Sequence, residues 1–321
     1  MIFGGRYLCI IAALAVAPLA HGQNYPTRTV RILVGFSAGG GTDIAARGAA
    51  QKMTELLGQS VIVENRPGSG GMIATEAVAK SAPDGYTLLM AAPADTVQPA
   101  LRAKLPYDFE RDFTPVSLVV TAPFALVVHP SVPAKNVKEL IELARATPGK
   151  LNYASSGIGS SAHMSNEMFN SMAKVNIVHV PFKGTSEGIV AVAGGSIDMV
   201  FSSFPPVLPL ADAKKVKVLA VSTLKRSALR PEIPTISESG LPGYERYGWY
   251  GVIAPSAVPK DIIAKLNASI VKAVATPDLR EALSSQGLEP FSNTPEQFAA
   301  FLSRELAQNG AIIRSTSAKI N

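Results

Sequence analysis

The chain contains very little cysteine. Its 321 residues include one, Cys9, which lies near the amino terminus at the start of a short apolar run. If that terminus is removed, as predicted below, the mature protein has no thiol, which excludes disulfides and a thiolate nucleophile. Histidine is also scarce, with four residues and neither an H-E-x-x-H motif nor a His/Cys cluster. We therefore expect neither a metal nor a cofactor.

Charge is also sparse. Charged residues make up 17% of the chain and its formal net charge is +6. The basic residues are scattered, and the densest group, Lys214, Lys215 and Lys217, is typical of a solvated edge rather than a nucleic-acid surface. The composition predicts no nucleic-acid partner. A mild positive field still favours anionic ligands.

The sequence has no apolar run long enough to span a bilayer comfortably. The run from Leu8 to Ala17 is short, follows Arg6 and ends at Pro18. Ala20-His21-Gly22 is an acceptable small-x-small cleavage site. We therefore predict that residues 1–22 are a cleaved export signal and that the mature protein is periplasmic.

Strand-like and helix-like segments alternate along the chain, which predicts an α/β fold with mainly parallel strands. After Phe113 the pattern changes to two apolar strands, 116–121 and 124–128, separated by Ala122-Pro123. We interpret this as a crossing into a second lobe. The loop-rich segment 222–247 would return the chain, and the strand 249–254 would rejoin the first lobe. Three helices should follow, at 260–275, 278–286 and 295–315.

These crossings predict two lobes and a cleft between them. The first lobe would comprise residues 23–122 and 245–321, and the second would comprise residues 123–244 with the hinge crossings. A hinged pair of α/β lobes places its ligand outside the carboxyl ends of the strands.

A glycine-rich loop, 35–43, connects the first strand to the first helix. Gly35-Phe36-Ser37-Ala38-Gly39 matches the G-x-S-x-G nucleophile elbow, so a serine hydrolase using Ser37 is one hypothesis. That fold usually supplies its base from the C-terminal third, which here contains no histidine. The dinucleotide fingerprint fails on the spacing of its third glycine, and no phosphate-binding G-x-x-x-x-G-K-[ST] loop occurs.

Anion capture is the alternative that remains. A second loop, Ser155 to His163, repeats the design of strand, small-residue loop and helix. Both loops follow strands, so they would face each other across the cleft. Each presents backbone amides and a positive helix end, which favour a carboxylate.

Several motifs occur in one order along nearly the whole mature chain. They include Gly39-Gly40-x-x-Asp43, Glu64-Asn65-Arg66-Pro67-Gly68, Pro83-Asp84-Gly85-Tyr86, His179-Val180-Pro181-Phe182-Lys183-Gly184 and Pro242-Gly243-Tyr244-Glu245. This ordered set resembles the Bug, or TctC-like, family of periplasmic solute-binding proteins of tripartite tricarboxylate transporters. The resemblance implies a two-lobed Venus-flytrap fold of the type II periplasmic binding kind. It also implies reversible capture of a small carboxylate without chemistry, and membrane permease subunits as partners.

The resemblance also implies where the ligand binds. The implicated residues are Phe36, Ser37, Ala38, Gly40, Thr42, Ala92, Ala94, Ser155, Ser156, Gly157, Ser160 and Ser161, with Lys183, Gly184 and Thr185 as further candidates. Two more candidates have structural alternatives. Asp43 would order a ligand amine, or complement its own helix start and pair with Arg47 at i+4. His163 would contact the ligand or only begin its helix.

The ligand's identity stays open at this stage. Neither main loop contains an arginine that would clamp a second carboxylate, so tricarboxylates are not favoured over monocarboxylic, dicarboxylic or aromatic acids. We expect a monomer. Delivery of ligand to a sensor kinase is the alternative to transport.

Overall fold

The computed structural model describes residues 25–36, 38–182, 185–227 and 230–315. The predicted export signal, residues 1–22, lies outside this range. No helix in the described ranges is both long enough and apolar enough to cross a membrane.

Strands and helices alternate through most of the chain. The strands are β1 (Val30–Val34), β2 (Val61–Asn65), β3 (Thr87–Ala91), β4 (Phe113–Val128), β5 (Asn152–Ser155), β6 (Val178–Pro181), β7 (Met199–Ser203), β8 (Lys217–Val221), β9 (Tyr247–Pro255) and β10 (Glu289–Pro290). The helices are α1 (Gly41–Leu57), α2 (Met72–Ala79), α3 (Pro93–Leu101), α4 (Val137–Ala146), α5 (Ser161–Ala173), α6 (Thr185–Ala193), α7 (Phe204–Asp212), α8 (Lys260–Ala275), α9 (Pro277–Ser285) and α10 (Pro295–Ser315). Helices α8 and α10 have the predicted bounds.

The strands hydrogen-bond in the order β2-β1-β3-β9-β4-β7-β5-β6, and β8 and β10 also pair with β4. Strands β2, β1 and β3 are mutually parallel, and so are β7, β5 and β6. The strands between these groups are antiparallel, because β9 pairs antiparallel with β3 and β4, and β4 with β7. The expectation of mainly parallel strands therefore holds within each group and fails at the centre.

Strand β4 corrects the prediction of two strands separated by Ala122-Pro123. It is one continuous strand that changes partner at the proline. Residues up to Pro123 pair with β9, and Phe124 onward pairs with β7 and β8. Proline has no backbone N–H to donate to a ladder, so it is tolerated where pairing changes. One strand thus joins both halves of the fold.

Both faces of each half are covered by helices. In the first half, Ile32 and Val34 lie in one cluster with Ala49 of α1, whereas Leu33 lies in another with Trp249. Successive strand residues point to opposite faces, so this alternation buries β1 on both sides. Two further clusters cover the faces of the β7-β5-β6 group. Such two-sided burial is usual for parallel sheets.

A small apolar cluster joins the halves behind the loops. Val97 and Leu101 of α3 pack with Met164 of α5 and Ile313 of α10. The lobe boundary that we predict at 122/123 lies where β4 changes partner, and the one at 244/245 lies just before β9 begins; both stay predictions.

Candidate functional site

A cavity of about 360 Å³ lies between the two groups of parallel strands. Its lining comes from both halves: Phe36, Gly40, Gly41, Thr42, Ala92, Pro93, Ala94, Phe124, Ser156, Ser160, Ser161, Ala162, Phe201, Ser202, Ser203, Pro206 and Tyr250. None of these described lining residues carries a charge. The cavity therefore offers hydroxyls, backbone groups and aromatic faces.

Four helices begin at this cavity. The residues preceding their first turns are Gly40 for α1, Ala92 for α3, Ser160 for α5 and Ser203 for α7. All four residues line the cavity. Each helix N-terminus carries roughly half a positive elementary charge. The site is therefore positive without an ionised side chain in its described wall.

The helix starts differ in how many amides they offer. The first amides of a helix have no acceptor within it. At α1, Gly41 and Thr42 each have an amide that can donate to a ligand. Helix α3 begins with Pro93 and α7 has prolines in its first turn, so these two helices offer fewer amides. At α5, the Ser160 hydroxyl accepts from the His163 amide at 3.3 Å. The amides of Ser161 and Ala162, which precede His163, are therefore left to donate to a ligand. Helices α1 and α5 are therefore the richest donors, and they belong to opposite halves.

Strand β9 closes one wall against α1. A Cβ atom on Gly41 would lie 2.8 Å from the Tyr250 hydroxyl, so only glycine permits this approach. The Tyr250 hydroxyl hydrogen-bonds Thr42, and burial, its largest influence, raises the pKa of Tyr250. The phenol therefore stays protonated and serves as a neutral hydrogen-bonding group.

Asp43 holds the glycine loop in place. Its carboxylate accepts from the Gly39 amide at 2.9 Å, from Asn65 Nδ2 at 2.9 Å and from Arg47 Nε at 2.9 Å. Asn65 also donates to the Phe36 carbonyl at 3.0 Å. Burial disfavours the charge on Asp43, but the donors from Arg47, Gly39 and Asn65 together lower its pKa. The carboxylate is thus fully engaged by its own loop.

A serine and two histidines support the second loop. The Ser155 hydroxyl lies 2.6 Å from His179 Nε2 and accepts from the Gly157 amide at 3.0 Å. His163 Nδ1 accepts from the Gly159 amide at 3.2 Å, and its ring centroid lies 4.4 Å from that of His179. Burial, and then the neighbouring His179, lowers the pKa of His163 to about 4. The backbone of the second loop is therefore held at Gly157 by the Ser155 hydroxyl and at Gly159 by the neutral His163 ring.

The comparisons with known proteins agree with this geometry. The family model described as "Tripartite tricarboxylate transporter family receptor" matches residues 45–317. The chain belongs to this receptor family.

The receptor is similar to several named proteins along nearly its full length. It is 34% identical over 312 residues to Protein BugT of Bordetella pertussis, which covers 97% of this chain and 96% of BugT. A Rhodopseudomonas palustris protein solved with adipate has a TM-score of 0.80 at 35% identity, covering 91% of this chain and 98% of that one. MatC from the same organism, solved with malate, has a TM-score of 0.78 at 33% identity, covering 90% and 100%. The resemblance to Bug proteins and the two-lobed periplasmic binding fold are thereby confirmed.

The receptor's cavity wall contains about half of the residues proposed from the sequence. Phe36, Gly40, Thr42, Ala92, Ala94, Ser156, Ser160 and Ser161 all line it. Ala38, Asp43, Ser155, Gly157 and His163 do not. Of these, Asp43 forms the predicted i+4 pair with Arg47, and Ser155, Gly157 and His163 form the hydrogen bonds that shape the second loop.

Other proposed residues fall outside the part of the chain that the structure describes. These are Ser37, Lys183 and Gly184, together with the side chain of Thr185.

The cavity wall also contains residues that are not among the candidates predicted from the sequence, including two groups from the second half of the fold. Phe124, Phe201 and Ser202 come from the central strands β4 and β7, which have no loop signature in the sequence. Ser203 directly precedes α7 and Pro206 lies in its first turn. The signal that would have identified α7 is proline in a first helical turn, where its missing N–H costs nothing.

Proposed function

We propose that this receptor captures a small dicarboxylate in the cavity between its lobes. The observation that carries this proposal is the convergence of four helix N-termini, two from each half, on a cavity without a charged side chain in its described wall. One carboxylate would lie against α1 and α3, and the other against α5 and α7. The relatives solved with adipate and malate support an acid with two carboxylates.

The energetics require direct hydrogen bonds as well as helix dipoles. Each helix end contributes only about 0.3–1 kcal/mol, or up to ~2 kcal/mol when partly buried. Micromolar binding requires about 8 kcal/mol. Amides and hydroxyls that donate to a carboxylate form charge-assisted bonds, which are about twice as strong as neutral ones. The Phe36, Phe124 and Phe201 rings would cover the ligand's carbon chain.

We further propose that the receptor releases the ligand unchanged to membrane permease subunits and acts in the periplasm as a monomer. Hydrolysis has less support, because none of the three described histidines, His129, His163 and His179, lines the cavity. The Ser155–His179 pair is also buried away from the ligand, since Ser155 has no exposed surface.

A matched ligand panel tests the proposal. Adipate and malate are compared in thermal unfolding and calorimetry with adipamide, the neutral isostere of adipate, and with 1,6-hexanediamine. A ligand at 100 times its Kd stabilises the folded state by about 2.7 kcal/mol. We expect a rise in Tm with at least one dianion and none with the amide or amine. Stabilisation by adipamide equal to that by adipate would contradict anion recognition.

A further inference from the structure

Asp95 is a buried carboxylate at the start of α3, directly behind the cavity wall. Asp95 is only 2% exposed to solvent. Its Oδ2 accepts from the Ala92 amide at 2.8 Å, and its Oδ1 lies 2.7 Å from the Thr75 hydroxyl. Ala92 and Ala94 both shortly precede it in the sequence, and both line the cavity. The carboxylate thus occupies the same helix N-terminus that is offered to the ligand.

The hydrogen bonds around Asp95 can accommodate one more proton. The Thr75 hydroxyl lies within reach of two acceptors, Asp95 Oδ1 at 2.7 Å and the Gly71 carbonyl at 3.1 Å. A hydroxyl has one proton, so it satisfies only one of them. If Asp95 is protonated on Oδ1, it donates to Thr75, and Thr75 then donates to Gly71. The neutral carboxyl therefore keeps both side-chain contacts as hydrogen bonds, whereas the ionised carboxylate uses the single Thr75 proton and leaves the contact with Gly71 without one.

The neighbouring charged groups do not neutralise Asp95. Among the described residues no ion pair reaches it, and Arg102, which directly follows the same helix, donates to Gln98 at 2.8 Å. Glu76 of α2 is paired with Lys80, and the buried Tyr107 hydroxyl lies close to Asp95 and Thr75. On the α10 side, Arg246 and Glu305 pair with each other at 3.3 Å, and α10 contacts α3 through Asn309 and Thr96.

We infer that Asp95 couples ligand capture to proton uptake, so that the receptor binds its dianion more tightly when Asp95 is neutral. An ionised Asp95 offsets the positive potential of the α3 N-terminus and repels an anion at Ala92–Ala94, and a neutral one does neither. By linkage, the bound anion must favour the proton on Asp95 as much as the proton favours the anion. Burial already raises the pKa of Asp95 to about 6, which places the exchange within the physiological range. This inference rests on the proposed function.

The variant Asp95→Asn tests the coupling, because its amide reproduces the protonated acid. The amide oxygen would accept from Ala92, and the amide nitrogen would donate to Thr75. Glu76→Gln on the adjacent helix α2 is the matched control. Calorimetry with malate and adipate at pH 6 and pH 8 avoids titration of ordinary carboxyl groups, whose pKa lies near 4. Buffers of different ionisation enthalpy report the protons taken up.

We expect the wild type and Glu76→Gln to bind about fivefold more weakly at pH 8 than at pH 6, which corresponds to about one pKa unit of coupling to a group whose pKa is about 6. Both should take up part of a proton at pH 7. Asp95→Asn should bind equally at both pH values, at least as tightly as the wild type does at pH 6, and without proton uptake. Equal pH dependence in Asp95→Asn and the wild type would overturn the coupling but leave carboxylate capture intact.

Two further outcomes are decisive. Failure of every dicarboxylate to bind at either pH would defeat the proposed function and this inference together. If Asp95→Asn does not fold, a ¹³C carboxyl titration of wild-type Asp95 replaces it. Its pKa should rise when the receptor is saturated with dicarboxylate, and an unchanged pKa would contradict the coupling.

Discussion

Two aspartates illustrate how much one helix position depends on its surroundings. Asp43 and Asp95 are each the third residue of a helix that begins at the cavity. Asp43 has Arg47 as a partner, and its pKa is lowered despite burial. Asp95 has no such cation among the described residues, and burial raises its pKa to about 6. The first therefore fixes a loop as a permanent anion, whereas the second is able to gain a proton.

Asp43→Asn should destabilise the receptor at neutral pH. A lowered pKa means that the ionised carboxylate contributes stability above the ordinary pKa of about 4 and loses it as the pH falls through the lowered value. We expect the free energy of unfolding in urea to drop by about 1–3 kcal/mol at pH 7, because three donors lose a charged acceptor. The difference should shrink below pH 4. Equal stability of the two proteins at pH 7 would contradict this role.

Local sequence predicts one of these aspartates and not the other. Arg47 follows Asp43 at i+4, so their pairing could be predicted from spacing alone. The partner of Asp95, Thr75, is 20 residues away in the sequence and on another helix. Nothing near Asp95 in the sequence indicates that it is buried or lacks a cation. Its environment exists only after α2 and α3 pack together.

At the scale of elements, the helix starts should bind through their backbone. Ser161 is the first residue of α5, a position where proline fits. A residue before proline must be extended, and Ser160 already is, with ψ of 158°. Ser161→Ala removes only the hydroxyl, whereas Ser161→Pro removes the amide donor as well. We expect affinity for the captured dicarboxylate to fall at least tenfold more in the proline variant, with Tm nearly unchanged. Equal affinities in calorimetry would exclude this amide as a donor.

The loop after β1 depends on a close approach between two backbones. A Cβ atom on Gly35 would lie 2.6 Å from the Gly71 Cα atom, and backbone cannot move aside cheaply. Gly58, which ends α1, adopts φ of +67° but would meet nothing within 4 Å. We therefore expect Gly58→Ala to cost about 1 kcal/mol from strain alone. Gly35→Ala should cost more and also weaken ligand binding, as measured by urea unfolding and calorimetry. Equal costs would contradict the close approach.

At the scale of the whole molecule, a buried polar network joins the return crossing to the C-terminal helix. Arg246 Nη1 lies 3.3 Å from Glu305 Oε1, and its Nη2 donates to Asn309 at 2.7 Å. Trp249 donates to Glu305 at 3.1 Å, and Asn309 donates to Thr96 of α3 at 2.9 Å. The network therefore connects β9, α10 and α3.

Glu305→Gln should be strongly destabilising, because it leaves the Arg246 guanidinium buried without its counter-charge. We expect a loss of about 3–5 kcal/mol in the free energy of unfolding. Glu281→Gln, the same change at an exposed position of helix α9, is the control, with a change within about 0.5 kcal/mol. A loss below 1 kcal/mol for Glu305→Gln in urea unfolding would show that the pair is dispensable.

The sequence predicted the two-lobed α/β class but not how the lobes connect. Alternating strands and helices indicate a class, and glycine-rich loops after β1 and β5 indicate helix starts. The continuity of β4 across Pro123 depends on β9 pairing before the proline and β7 after it. That pairing brings together residues more than 70 positions apart, so no local pattern encodes it. Phe124, Phe201 and Ser202 reach the cavity wall for the same reason.

The central claim is that helix N-termini hold the ligand's carboxylates. It is tested most directly by ¹⁵N–¹H NMR during titration with adipate and malate. The amides of Gly41, Thr42, Ala94, Ser161 and Ala162 should show the largest shifts, moving downfield together at a single Kd. If the largest shifts fell instead in the second groove, of about 560 Å³ between residues 223–226 and α10, or if the helix-start amides did not move, the proposed site would be wrong.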